Sequence, residues 1–321
     1  MTDSPTVVKA GDNMKDVLVF FSFAKHKTGY YKTMFDPLVQ VQAEYGLRLF
    51  QGSLKDLHIE VMNGELSVSE ALTCRSLDTF DVVDLEMWLK APQQALAATT
   101  YLDRMGIPMT TSEPLGVLCD TKVSEIVTMS GKDIPLPHTF TSSSREIKKL
   151  FENTPIFTYP FIAKAADTFG GKMNFLVHNY NELVSALDEH PEQTFILQEF
   201  IPNDCDFRVL VMGGEIRLVM KRIRDKDSGS HLNNTSAGAD SEFVPIESLT
   251  KEAQGAVLAA AKATRRSGFA GVDLIINKVT GDHFILEVND QPAIQVGSNP
   301  EIKIPVFMEY VRELAYGSDK K

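Results

Sequence analysis

Cysteine is scarce in this chain: three residues in 321, Cys74, Cys119 and Cys205, far apart and odd in number. That count excludes a disulfide framework, and the spacing fits no Cys-based metal motif. The seven histidines are scattered without an i, i+4 pair, so nothing points to a zinc site. Positive charge is in deficit, since 32 Lys and Arg against 43 Asp and Glu give a formal charge of −11. A surface of that sign suits neither nucleic acid nor an anionic membrane. No apolar run approaches the about 20 residues of a membrane-spanning helix. The first 15 residues are polar, lack the apolar region of a signal peptide and read as a loose tail. The cytoplasm is the default compartment. What is present is ordinary for a soluble globular protein: 43% hydrophobic and 23% charged residues, with length for two or three domains.

Strands alternate with helices in the first third. Val17–Phe23, Leu47–Phe50, His58–Met62 and Phe80–Leu85 read as strands, and Met34–Tyr45 and Ala91–Met105 as helices, the second ended by Gly106 and Pro108. This pattern predicts an open parallel sheet in an α/β domain over residues 1–116. A second region, 117–193, holds helical Val123–Met129, the helix Ser143–Glu152 with Ser144 as its capping residue, the strand Phe161–Lys164, a glycine-containing loop and the helix Asn181–His190. The third, 194–321, starts with the strand Thr194–Ile201. It continues with Phe207–Met212, Glu215–Met220, a basic loop, the helix Lys251–Arg265 and a hairpin.

That hairpin is the most informative feature. Ala270–Ile276 and His283–Val288 flank the turn residues Thr280, Gly281 and Asp282. Asp273 lies on its first strand, and Glu287 and Asn289, two apart on the second, share a face. An Asp, a Glu and an Asn together offer hard oxygen ligands of the kind Mg²⁺ takes, and Mg²⁺ held so usually also holds phosphates. Upstream, Lys164 ends a strand that enters a loop with Gly170 and Gly171, where backbone N–H groups can approach an anion. Gln198, Glu199, Phe200 and Ile201 join two regions, and hinge backbone there could meet a base edge. Lys221, Arg222 and Arg224 form a basic cluster in an acidic protein, followed by a polar loop containing Asn234. Cations there would neutralise phosphates near a metal. Each feature alone is also what a solvated strand or an ordinary turn shows.

In their order and spacing these motifs resemble the ATP-grasp superfamily, in particular carboxylate–amine ligases similar to the enzyme that adds glutamate to a ribosomal protein. The resemblance runs from about Asp120 to the C-terminus. It implies an ATP-grasp fold behind the N-terminal open parallel α/β domain, with ATP and Mg²⁺ (or Mn²⁺) as cofactors. Lys122 and Lys164 resemble the phosphate lysines, and "LQEFI" (Leu197–Ile201) the adenine hinge. Asp206 resembles an acid near the ribose, Arg222 an arginine reaching the transferred phosphate, and Asn234 the asparagine of the phosphate-facing loop. Asp273, Glu287 and Asn289 match the family's metal ligands. Arg208 is the candidate for holding a carboxylate or a tetrahedral intermediate through bidentate hydrogen bonds.

The activity implied is amide formation through an acyl phosphate, between a small-molecule or peptide carboxylate and an amine. A small-molecule kinase and a non-catalytic ATP-binding regulator are the rival readings on the same fold. Two departures stand out. Met173 occupies the place of a usual third glycine, and Asp290-Gln291-Pro292-Ala293 replaces a common Ser-Pro-Gly on the substrate side. The acid, the amine and the choice between monomer and homodimer are left open.

Overall fold

The computed structural model describes residues 14–21, 28–62, 65–86, 88–115, 122–130, 132–153, 156–166, 168, 172–191, 193–224, 240–290, 292–295 and 299–317. The candidate residues Gly170, Gly171 and Asn234, with most of the basic loop, lie outside them.

The N-terminal sheet is parallel, as the alternating pattern predicts. Strand β1 (Lys15–Phe21) sits between β2 (Leu47–Ser53) and β6 (Val82–Glu86). Helices α1 (Thr28–Val41) and α2 (Pro92–Met105) accompany it. Helix α1 starts earlier than the expected Met34, and its apparent continuation to Tyr45 is a separate single turn. Proline at the first position of α2 and Gly106 at φ +69° after its last explain how well that helix was read. The expected strand His58–Met62 does not join the parallel sheet: β3 (Leu57–Met62) forms a small antiparallel sheet with β4 (Glu65–Glu70) and β5 (Arg75–Ser76).

The central sheet, in order β7-β10-β8-β9, is antiparallel: β7 (Thr139–Ser142), β8 (Phe161–Ala165), β9 (Asn174–Val177) and β10 (Phe195–Glu199). Helices α4 (Ser144–Asn153) and α5 (Tyr180–Glu189) pack Ile147, Phe151, Leu183 and Leu187 against Phe161, Phe195 and Leu197. Ser143, not Ser144, caps α4, its hydroxyl accepting from the Glu146 N–H at 3.3 Å. The expected boundary at 193/194 falls just before β10, which pairs on both sides within this central sheet.

The third sheet runs β13-β12-β11-β14-β15. Its strands are β11 (Cys205–Met212), β12 (Glu215–Ile223), β13 (Asp240–Val244), β14 (Phe269–Ile276) and β15 (His283–Asn289). Gly213 and Gly214, both at positive φ (+62° and +78°), make the two-residue turn between β11 and β12. Helix α6 (Lys251–Ala263) lays an alanine-rich face on this sheet. Strand β12 runs three residues past its expected end, so Arg222 belongs to a strand rather than to a basic loop.

The C-terminal helix α7 (Pro300–Tyr316), absent from the sequence reading, fastens the parts together. Ile304, Phe307, Met308 and Val311 pack with Val17, Val19 and Phe21 of β1 and with Leu210, Met212 and Phe269 of the third sheet. Each such side chain, once buried, contributes roughly 1.5–3 kcal/mol. A second joint is backbone against backbone. A Cβ added at Gly268 would lie 2.1 Å from the carbonyl oxygen of Thr110, which follows the N-terminal sheet. Gly268→Ala is therefore expected to destabilise by about 1–3 kcal/mol, seen as a lower thermal midpoint. An unchanged midpoint would show that this contact is loose. No described helix is long and apolar enough to cross a membrane.

Candidate active site

One face of the third sheet gathers the charged candidates. Register sets Asp206 opposite Arg222, Arg208 opposite Asp273, and Asp273 opposite Glu287. Simple alternation does not account for the last strand. A bulge between β14 and β15 pairs Leu274 with Ile285 but Asp273 with Glu287, which leaves Leu286 as the extra residue. The bulge resets the alternation. Ile285 and Val288 both enter the core, while Glu287 and Asn289 turn to the opposite, half-buried face.

The ionic arrangement on that face is dense. Arg208 grips Asp273 with two parallel hydrogen bonds of 2.8 Å. Arg222, 4% exposed, lies 2.6 Å from Asp206 and 3.2 Å from Asp273. Burial alone would raise the Asp273 carboxyl, but the two guanidinium groups outweigh it and hold it down at about 2. The ribose acid expected at Asp206 is thus engaged by Arg222 from within the same sheet. Lys221, next to Arg222, points to the other face and pairs with Glu242 at 3.2 Å.

The central sheet and the start of a helix each supply one lysine. Lys164 on β8 is buried, and its Nζ donates to Gln198 Oε1 at 3.0 Å. Gln198 in turn donates to Thr139 Oγ1 at 3.1 Å, so one polar chain crosses β7, β10 and β8. Burial lowers the Lys164 pKa. Glu287, Glu125 and Asp273 pull it back up, and Lys122 adds to the lowering. Lys164 therefore lies within electrostatic reach of the acids on the third sheet and of the other candidate lysine. Lys122 opens α3 (Lys122–Met129), and its Nζ donates to the carbonyl of Thr168 in the β8–β9 loop. Met173, at the expected glycine position, holds φ +48°. The loop adopts a glycine-like conformation there in spite of the side chain, at a cost on the order of 1 kcal/mol.

The hinge leaves both ladders after Glu199, whose N–H donates to the His138 carbonyl at 2.9 Å. Asn203, missed in the sequence, takes the Ile201 carbonyl at 2.7 Å and accepts from Arg224 at 2.8 Å. It fixes the direction in which Phe200 and Ile201 emerge.

The donor set fits a divalent cation. Asn289 donates its Nδ2 to Gly271 O at 3.1 Å, which turns Oδ1 outward as an acceptor. Glu287 is half-buried and makes no hydrogen bond among the described residues. Asp273 accepts three N–H bonds from its arginines, leaving about one of the four lone-pair directions of a carboxylate. Hard oxygens of this kind suit Mg²⁺. Among the described residues no trio of His, Cys, Asp and Glu is arranged for a metal, in keeping with an amide as the third ligand.

Sequence reasoning also missed the groups behind the site. Val288, between Glu287 and Asn289, lies on the edge strand, where its outward peptide groups have no neighbouring strand. Glu125 accepts its N–H at 3.2 Å and Arg266 donates to its carbonyl. Arg266, 2% exposed, also pairs with Glu125 at 2.6 Å and Glu113 at 2.9 Å. Lys303, buried in the first turn of α7, donates to the Ala293 carbonyl at 2.6 Å. Burial and then Arg208 bring its pKa down to about 8.

Beta-citrylglutamate synthase B of Mus musculus is 27% identical over 157 residues, covering 47% of this chain and 39% of that protein. The chain thus spans about two-fifths of the length of the curated relatives it matches. Among solved structures, a RiPP-associated ATP-grasp ligase of Chryseobacterium gregarium in complex with ADP and a leader and core peptide superposes with a TM-score of 0.62. It is 11% identical and covers 96% of this chain and 98% of its own. The D-alanine–D-alanine ligase of Bacillus anthracis complexed with ATP gives 0.63 at 15% identity, covering 95% and 98%. Both likenesses show the fold. The family described as RimK-like ATP-grasp domain matches residues 119–314, more than half of the chain, and to that family the chain belongs.

Proposed function

We propose that this chain is an ATP-dependent carboxylate–amine ligase that forms an amide through an acyl phosphate and releases ADP and phosphate. The observation that carries the reading is the convergence of Lys164 from the central sheet and Lys122 from the start of α3 with Asp273, Glu287 and Asn289 from the third sheet. Magnesium held by those three ligands would neutralise phosphate charge as it moves. The protein's own residues do the rest by position and charge. Lys164 and Lys122 offer ammonium donors to phosphates. Arg222 and Arg208, anchored on Asp206 and Asp273, present guanidinium planes beside the transferred group. The hinge at Glu199–Ile201 offers backbone to a base. Arg208 and Lys303 make the neighbouring surface positive, which suits a carboxylate. No protein nucleophile is required.

This reading takes residues 1–116 as the substrate-facing domain, 117–193 and 194–321 as the two halves around ATP, and the cytoplasm as the compartment. The test is ADP release with Mg-ATP and pooled amino acids, with hydroxylamine as trap. ADP with a hydroxamate, reduced at least about 100-fold in Glu287→Ala, is the expected result. ADP without any hydroxamate would instead indicate a kinase, and no ADP at all a binding protein.

A further inference from the structure

A second set of ionisable groups lies at the carboxyl end of the N-terminal parallel sheet. Asp84 and Glu86, two apart on β6, share one face and are 2% and 5% exposed. Asp84 Oδ1 accepts from Thr110 at 2.6 Å and Glu86 Oε1 from Gln295 at 3.1 Å. The other Asp84 oxygen, Oδ2, is buried with no hydrogen-bond partner. Glu86 also feels the charges of Asp84 and Asp290, and neither Asp84 nor Glu86 makes an ion pair among the described residues. Asp290 directly follows the candidate metal ligand Asn289.

Buried carboxylates are normally paired; with no ion pair among the described residues, burial pushes Asp84 up to about 6 and Glu86 up to about 8. Their place, outside the carboxyl ends of parallel strands, is where open α/β sheets take ligands. An ammonium would supply the missing charge, since it carries three donors on one nitrogen and answers oxygens spread around it. The loop after β15 separates two opposite charges. Its Ala293 carbonyl holds Lys303, on the Arg208 side, while its Gln295 holds Glu86. A carboxylate would be drawn to the first side and a cation to the second.

We propose that Asp84 and Glu86 form the recognition site for an ammonium group of the amine substrate. That substrate is of the diamine class, with one nitrogen held charged at this site and the other left to attack. The proposal rests on the ligase reading for the attack, but not for the binding. An amine with a carboxylate beside its nitrogen would meet like charge here.

Calorimetry on the full chain with putrescine, cadaverine and L-glutamate tests the binding, using wild type, Asp84→Asn and Glu86→Gln. The diamines are expected to bind and L-glutamate not. Each variant is expected to weaken the diamines by about tenfold or more, and the two variants serve as checks on each other's folding. Under Mg-ATP and pooled amino acids, the ratio of putrescine-dependent to hydroxylamine-dependent turnover should fall by a similar factor, because hydroxylamine is neutral and needs no ammonium pocket. Equal diamine binding by wild type and variants, or none by wild type, overturns the proposal. So does a variant in which both turnovers fall together, since that marks a structural role. Diamine binding that depends on the acids, with no hydroxamate from wild type, upholds the cation site and removes the ligase reading instead.

Discussion

Replacing Lys164 by methionine is expected to lower turnover by about 10²–10³-fold and to leave the thermal midpoint unchanged or higher. The two halves of this result have one cause. Lys164 is buried, and the structure gives its ammonium a single hydrogen bond, to Gln198. Its charge is held against desolvation by acids on the facing sheet, Glu287 and Asp273, rather than by a contact ion pair. Two of its three N–H donors thus have no protein acceptor among the described residues, the arrangement expected of a group that waits for a ligand's oxygens. Methionine fills nearly the same volume without a charge to desolvate, so folding loses little. Steady-state ADP release and a melting curve on the same preparations decide it. Turnover within a factor of about two of wild type would remove Lys164 from the site. A sharply lower midpoint would make it a structural lysine.

Much of this was legible because local chemistry wrote it. The Thr280-Gly281-Asp282 turn and its β-branched flanks announce the hairpin, and Gly281 at φ +80° makes that turn. The alternating strands of the first third gave the parallel sheet, since βαβ connections leave a strong pattern. Other features had no local signal. The period of two would have set Glu287 and Asn289 correctly relative to each other, but only the bulge at Leu286 reconciles them with a buried Ile285. A bulge is fixed by pairing with β14 and not by the sequence of β15. Strand β10 reads as the start of the third region because it follows a helix and precedes a hinge. Its place in the middle of the central sheet is decided by partners up to 59 residues away, such as Thr139. Helix α7 was hidden by Pro300 and Pro305, which read as loop residues, though the first is a favourable helix opener. Arg208 and Asp206 stood out singly. That both brace the arginine–aspartate network around Asp273 follows from register alone.

Arg266→Met carries the largest expected cost in stability, about 3–5 kcal/mol, because it removes one partner of a buried ionic group and strands the others. Arg266 holds Glu113 behind the N-terminal sheet, Glu125 on α3 and the carbonyl of Val288 on β15, so one side chain ties three parts of the fold. Its loss leaves two buried carboxylates facing each other without a cation. The loss is expected to depend on pH, with a definite sign. Burial already pushes Glu113 up to about 7 against the pull of Arg266, and it raises Glu125 as well. Without the arginine both rise further. A carboxyl raised above its unfolded value favours the folded state fully only below that value, and the contribution is lost as pH climbs through the folded one. The variant should therefore lie closer to wild type at pH 6 than at pH 8 in urea unfolding. Adding Glu113→Gln and Glu125→Gln to Arg266→Met should recover part of the loss at pH 8, since neutral amides need no counter-charge. An equal loss at both pH values, or a triple variant no better than the single, would mean that packing rather than charge sets the cost. Turnover should fall beyond what stability explains, because Val288 sits between Glu287 and Asn289 and its two peptide groups are held by Glu125 and Arg266.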